Sequence, residues 1–556
     1  MRFAGSDHRW LCCFSPIYPQ YSSSLRLAGG VRSSPKRVSC CFAGPYGAAG
    51  SLGMALAMLW VSLACGCSRS ARRPDDALVV VLPRDAQQLD PRLTGDTYGV
   101  RLSRLIFASL VTIDPRTLDV VPDLAQEVQV VSPTCYRVEL KGDARFSDGS
   151  RLTSEDVLAT YRSLVAEDIG SRYARTFQRI ARMQAPDEHT VVFHLSEPHA
   201  TFLTDLEMPI LRAEDEHRLV GVGDRPAPVG AGPYRLRPRV GGSLVLEANP
   251  NWHHGTPRYP LVRMVVVRDD NTRALRLLAG AADLVVDAMP PLLLPLFEQT
   301  REYQVRSVPG VGTTYLGLNL DAPALADPRV RRAIAHAVDR AKLVATKLGG
   351  RARLAHSWIA PGLWAHSENV AFHEFDPERS RKLLDAAGFL RRRGQPRMRL
   401  TLRVGADRFR VSLARAISAM LAEVGLDVDV RPTETATLLA DLNRGRFQMT
   451  LLQVPEVIEP HVLSWFFTSQ RVPDPGRREG ANRWRFRNAE FDAAIERGRS
   501  TPVREARYAA YQEAQRILAE KLPVIPLWHD SVVAVAGPRA KPFEVARNAR
   551  FDTLAR

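Results

Sequence analysis

The sequence predicts an α/β protein built from more than one domain. Three observations carry this reading. The chain has 556 residues, against the ~100–200 of a typical single domain. It is 45% apolar and 24% charged, which fills sizeable cores and excludes a chain disordered throughout. Along the body, short β-like runs alternate with helical patterns.

The elements follow in order. Leu78–Leu82 is a continuous apolar run, the pattern of a strand buried on both faces. Tyr136–Leu140 and Thr190–Leu195 alternate, as half-buried antiparallel strands do. Met264–Val267 and Tyr315–Leu320 read as further apolar strands. Thr153 opens a helix with Asp156 three residues on, a capping-box arrangement, and Val157, Tyr161 and Leu164 share one face. Asp327 is an N-cap with Pro328 at the first helical position. Val330, Ala333, Ile334, Ala337 and Val338 then form a buried stripe. Asp376-Pro377 repeats that start, with Leu383 and Leu384 facing the core and Gly388 ending the helix. A helix around Val411–Val424 ends at Gly425, before the alternating strand Leu426–Val430.

Formal net charge is +16, carried by 69 Arg and only 7 Lys. There is no block of five basic residues and no aromatic–basic interleaving, so nucleic acid is not an expected partner. Six of seven cysteines lie in the first 67 residues, leaving Cys135 alone in the body. That excludes a disulfide framework and a thiolate metal site there. The run Ser51–Gly66 has the length of a signal-peptide apolar region and is short for a membrane span of ~20 residues. Arg32, Lys36 and Arg37 precede it. Cys67, after small residues, resembles the lipidated cysteine of a bacterial lipoprotein, with Cys65 the second choice. Residues 1–66 are therefore expected to be a leader, with 1–30 arising from a start read too far upstream, and 67–76 a lipid anchor and tether.

No nucleophile-elbow, zinc-protease, P-loop or dinucleotide motif is present, and no catalysis, cofactor or metal is expected. His253 and His254 are adjacent rather than four apart, so they are expected to point in different directions as solvent-facing residues before a turn.

Six segments, in order, carry a family resemblance. Phe146-Ser147-Asp148-Gly149 with Leu152 to Val157 resembles a signature of the extracellular solute-binding proteins, family 5, the oligopeptide- and dipeptide-binding receptors of ABC importers. Gly230 to Tyr234, Asn249 to Trp252 with Gly255-Thr256-Pro257, and Asn319 with Asp327 to Ile334 and Asp339 resemble its later motifs. So do Phe375 to Gly388, and Arg507-Tyr508, Tyr511, Gln512 with Pro523 to Leu527. These are turn, cap and core residues; they identify the family without binding ligand.

The resemblance implies a periplasmic-binding-protein type II fold, two lobes around a ligand cleft plus an extra N-terminal subdomain. Lobe I would comprise 77–110, 229–308 and 523–556, the inserted subdomain 111–228, and lobe II 309–522. It implies a monomeric, lipid-anchored receptor on the periplasmic side of the envelope, closing on its ligand by a hinge and delivering it to ABC permease subunits. In peptide-binding members an Asp pairs with the peptide's α-ammonium, in a stretch that matches Gln453–Pro460 here. Glu456 takes that Asp's place, Gln453 that of a Trp, and Glu459-Pro460 the closing Asp-Pro. Thr94, Tyr98, Thr314, Tyr315, Trp465 and Trp358 are the other residues the resemblance brings to the cleft. The same fold with a nickel chelate, haem, opine or sugar as ligand, or a sensory protein reusing it, are the alternatives.

Overall fold

A computed structural model describes residues 76–221, 227–474 and 480–556. The leader, Cys65, Cys67 and nearly all of the tether lie outside them. Among the described residues the largest assembly is an 11-stranded mixed sheet. Its strands run, edge to edge, Leu426–Thr433, Met398–Gly405, Met449–Val454, Gln304–Leu318, Val524–Ala536, Leu284–Val286, Leu78–Leu82, Leu261–Val266, Ser243–Ala248 and Tyr234–Val240. Ala352–Leu354 adds to Val524–Ala536 off this line.

Two strands belong to both halves of the sheet. Gln304–Pro309 pairs with Ser531–Ala536, and Thr313–Gly317 with Val524–His529, antiparallel throughout. On one side this pair continues through Leu284–Val286 to the strands of the first half. On the other it continues through Met449–Val454 to the second. Between Pro309 and Thr313 the register slips, and a slip of this kind kinks a ribbon where the sheet changes direction. The expected strand Tyr315–Leu320 is the far end of this 15-residue strand. Pro309, Gly310 and Gly312 break the apolar pattern, which hides its continuity in the sequence.

A separate antiparallel sheet of Ala125–Ser132, Cys135–Leu140, Thr190–Leu195 and Ile180–Asp187 forms the inserted subdomain. The helix Ser154–Val165 packs Val157, Tyr161 and Leu164 into its core with Val138 and Phe193. Tyr161 meets Phe193 edge-on at 5.0 Å. The capping box is formed: Asp156 accepts from Thr153 N at 2.8 Å. Upstream, the Phe146–Gly149 segment is a turn in which Gly149 takes φ 92°, a conformation open to glycine at no steric cost. Asp148 accepts from Ser150 N there.

In the second half, Pro328–Ala337 buries Val330, Ala333, Ile334 and Ala337 against the sheet. Its N-cap, Asp327, accepts from Arg329 N at 2.7 Å. Asp376 caps Pro377–Ala386 in the same way, and Gly388 follows it at φ 88°. The helix expected at Val411–Val424 begins earlier, at Arg408, because Asp407 supplies the cap. In the first half, Leu78–Leu82 is buried on both faces as its composition requires.

Gly310 sits at the register slip, where a Cβ would fall 2.5 Å from the Asp530 carbonyl oxygen. Gly310→Ala must therefore push the two shared strands apart. The expected loss is about 1–3 kcal/mol, read as a lower urea midpoint; an unchanged midpoint would show that the crossing tolerates separation.

Candidate functional site

Polar side chains gather where the two shared strands pass between the sheet halves. Asp530 lies at this crossing and accepts from Thr314 Oγ1 at 2.7 Å, Gln453 Nε2 at 2.9 Å and Trp528 Nε1 at 2.9 Å. All three donors are neutral, and among the described residues no cation pairs with it. Burial pushes its carboxyl above the ordinary aspartate value, against those hydrogen bonds, and Asp287 adds in the same direction. Asp287 ends the strand Leu284–Val286 and meets Arg101 Nη2 at 3.3 Å. Gln453 is held from its other side by Arg410 Nη2, 3.0 Å from its Oε1.

Glu456 sits in a different environment. Arg550 reaches it at 2.6 Å and also binds Glu207, which pairs in turn with Arg104 at 2.8 Å. Two carboxylates thus share two guanidiniums, and Arg550 is 4% exposed. Burial alone would raise the Glu207 carboxyl, but Arg104 and Arg550 outweigh it and hold it below the ordinary glutamate value. Glu459 is half-buried and pairs with Arg507 at 2.5 Å. Beside it, His461 is pushed down to about 3, first by burial and then by His199 and nearby arginines.

A cavity of about 570 Å³ opens between the insert and the second half, lined by Asp205, Glu459, His461, Trp465 and Arg499 among others. Trp465 is 42% exposed there, with the Arg471 guanidinium 4.9 Å from its ring centre. A smaller cavity of about 170 Å³ shares Thr176, Thr204 and Asp205 with it and reaches Thr94 and Glu207. Thr94 is buried, its hydroxyl donating to Pro91 O. Tyr98, near the start of helix Thr97–Ile106, is buried beside Arg101.

The structure corrects three expectations. Tyr315 is 1% exposed and packs on Trp358 and Trp484 at 4.5 and 5.4 Å, so it faces the core while Thr314 faces Asp530. Trp358 is 2% exposed in the same cluster. For Tyr315 the reason is that adjacent residues on a strand, here Thr314 and Tyr315, point to opposite sides; Trp358 is held in the core by its packing on Tyr315, Phe466 and Phe467. His253 and His254 converge: their Nε2 atoms lie 2.8 and 2.9 Å from the same Asp123 oxygen. The backbone turns there, so strand and helix spacing rules do not govern the two rings.

Asp530, Arg550, Glu207 and Asp287 were not singled out from the sequence. A signal existed for one of them: His529-Asp530-Ser531 interrupts an otherwise apolar run, an unusual place for a carboxylate.

Two sheet halves joined by a pair of shared strands, with polar groups at the crossing and an inserted subdomain, define a two-lobed type II binding protein. Known proteins agree. The chain is 26% identical over 489 residues to the probable D,D-dipeptide-binding periplasmic protein DdpA of Escherichia coli, covering 84% of this chain and 92% of that one. It is 28% identical over 502 residues to di/tripeptide-binding protein 2 of Pseudomonas aeruginosa, with the same shares covered. The crystal structure of NikA from Brucella suis in complex with Fe(III)-EDTA superposes with a TM-score of 0.77 at 24% identity, over 86% of this chain and 99% of that one. The model of the bacterial extracellular solute-binding proteins, family 5 Middle, matches residues 119–472, and the chain belongs to that family.

The ion-pair cluster makes a graded prediction. Glu207→Gln leaves Arg550 and Arg104 short of a buried partner and should lower stability by about 3–5 kcal/mol. Glu456→Gln removes the more exposed carboxylate and should lower it by about 1 kcal/mol or less. Because the Glu207 carboxyl is held low in the fold, its contribution is fully present above the ordinary glutamate value, about 4.3, and is lost as pH falls from there through its lower folded value. Denaturant melts of both variants at neutral and acid pH check the order; equal losses would contradict it.

Proposed function

We propose that this chain is the substrate-binding receptor of an ABC importer, capturing peptides or peptide-like solutes by hinge closure and passing them to membrane permease subunits. It carries out no chemistry and acts as a monomer outside the cytoplasmic membrane, held by lipid on Cys67, with Cys65 the alternative. Among the described residues no helix is long and apolar enough to cross a membrane. The lobes of this reading are 77–110, 229–308 and 523–556 for the first and 309–522 for the second, with 111–228 inserted. The relatives named for dipeptides and tripeptides support the ligand class.

The observation that carries the reading is the carboxylate at the crossing. A half-buried carboxylate with neutral donors and, among the described residues, no cation is costly unless something cationic joins it. A ligand ammonium supplies that charge, in a site both lobes build. Glu456 fits this role less well, because Arg550 already neutralises it. Thr314 and Gln453 then act by holding Asp530, while Thr94, Tyr98 and Trp465 are proposed to line the space for the rest of the ligand.

Titration calorimetry with Ala-Ala-Ala and with its N-acetylated form tests this. The free tripeptide should bind and the acetylated one should not. Asp530→Asn should weaken binding roughly 10- to 100-fold, the value of a charge-assisted hydrogen bond, and Glu456→Gln should change it little. Affinity should fall on acidification, beginning above the ordinary aspartate range near about 3.9, because only the ionised carboxylate pairs with an ammonium. Equal affinity of Asp530→Asn, or of the acetylated peptide, would overturn the assignment.

A further inference from the structure

The sequence offers no thiolate site, and its paired histidines read as surface residues, yet the fold assembles a donor set from them. Asp123 follows the strand Val120–Pro122 at the base of the inserted subdomain. His253 and His254 follow the Asn249–Trp252 turn, 130 residues later in the chain. Among the described residues this is the one group of three histidine or carboxylate donors whose ligand atoms all lie within 4.8 Å of one another. The His253 side chain is fully buried, and Asp123 is 14% exposed. The rings lie 4.3 Å apart, tilted by 47°, and Trp252 covers His254 at 5.1 Å. Both imidazole Nε2 atoms are therefore already directed at one Asp123 oxygen.

We propose that Asp123, His253 and His254 form a divalent transition-metal site of the zinc or cobalt class, tying the inserted subdomain to the first lobe. The donor set decides the class. Two imidazole nitrogens and one carboxylate oxygen suit Zn²⁺ or Co²⁺ and are wrong for Ca²⁺ or Mg²⁺, which take oxygen. The geometry is close to what such an ion needs. With metal–ligand bonds of about 2.0–2.1 Å, tetrahedral ligand atoms stand about 3.3 Å apart. The two nitrogen–oxygen separations here, 2.8 and 2.9 Å, require movement of about half an ångström. Water would complete the shell from a small cavity lined by Asp123, His254 and Trp252 and also by Arg104, Glu207 and Asp552.

The buried environment also sets how tightly an ion is held. A ligating histidine ordinarily donates its second N–H to an acceptor, which orients it and raises its basicity. His253 Nδ1 is buried with no such partner. The site is thus weaker than a structural zinc centre, and the ion adds stability without being required for folding.

The test uses the untagged chain from Ser68 onward, freed of metal by chelator, and Co²⁺ or Zn²⁺ alone as the probe. Cobalt should give the visible absorption of a tetrahedral nitrogen–oxygen site at one equivalent. Zinc at a hundredfold excess over its Kd should raise Tm by roughly 3 °C. His254→Ala, an exposed position that keeps the fold, should abolish the absorption and weaken zinc binding at least roughly tenfold. Asp123→Asn should do the same, with circular dichroism confirming its fold; if it fails to fold, His254→Ala decides. No cobalt band and no zinc shift, or band and shift unchanged in His254→Ala, would overturn the proposal.

Discussion

Two strands have to satisfy each other's backbone in both halves of one sheet. Gln304–Leu318 and Val524–Ala536 pair along almost their whole length, so neither half can be completed without them. An unpaired buried N–H or C=O costs as much as a lost hydrogen bond. The chain therefore cannot separate its lobes by fraying this pair; it can only bend it. Bending is concentrated where the register slips, between Pro309 and Thr313. The backbones approach so closely there that Gly310 has no room for a side chain. Asp530 lies beside this slip, its carbonyl oxygen 2.5 Å from where a Gly310 Cβ would stand.

Charge at the crossing separates structure from function. Arg550 binds Glu207 and Glu456 in a cluster whose charges cancel, and a cluster of that kind holds segments far apart in the chain. Asp530 is the opposite case. Its donors are dipoles, its nearest acidic neighbour repels it, and burial disfavours its ionised form. Such a group destabilises the empty protein and gains when a cation arrives. On the proposed reading, that asymmetry couples ligand charge to closure: a ligand cation would contribute binding free energy only where both lobes surround the carboxylate.

What the sequence made legible was local. The caps at Thr153, Asp327 and Asp376 were readable because a cap and its helix lie within four residues, and each is present. The family motifs were readable because turns at Gly149 and Gly388 need a particular residue at a particular place. The long shared strand was only half legible, since Pro309 and the glycines that make the hinge also erase the strand pattern. Tyr315 was misplaced because position along a strand says which residues alternate, not which side faces the cleft. The sets Arg550–Glu207–Glu456 and Asp123–His253–His254 were invisible for one reason. Arg550, Glu207 and Glu456 are separated from one another by more than ninety residues, and Asp123 lies 130 residues before the histidine pair, so only the fold brings each set together.

The account rests on the claim that the cleft holds a ligand with a free ammonium group. Native mass spectrometry of the chain from Ser68 onward, purified without denaturation, followed by release and identification of what it carries, tests that claim most directly. The account predicts short peptides with unblocked amino termini. A haem, a sugar, a metal chelate or a blocked peptide in their place would contradict it.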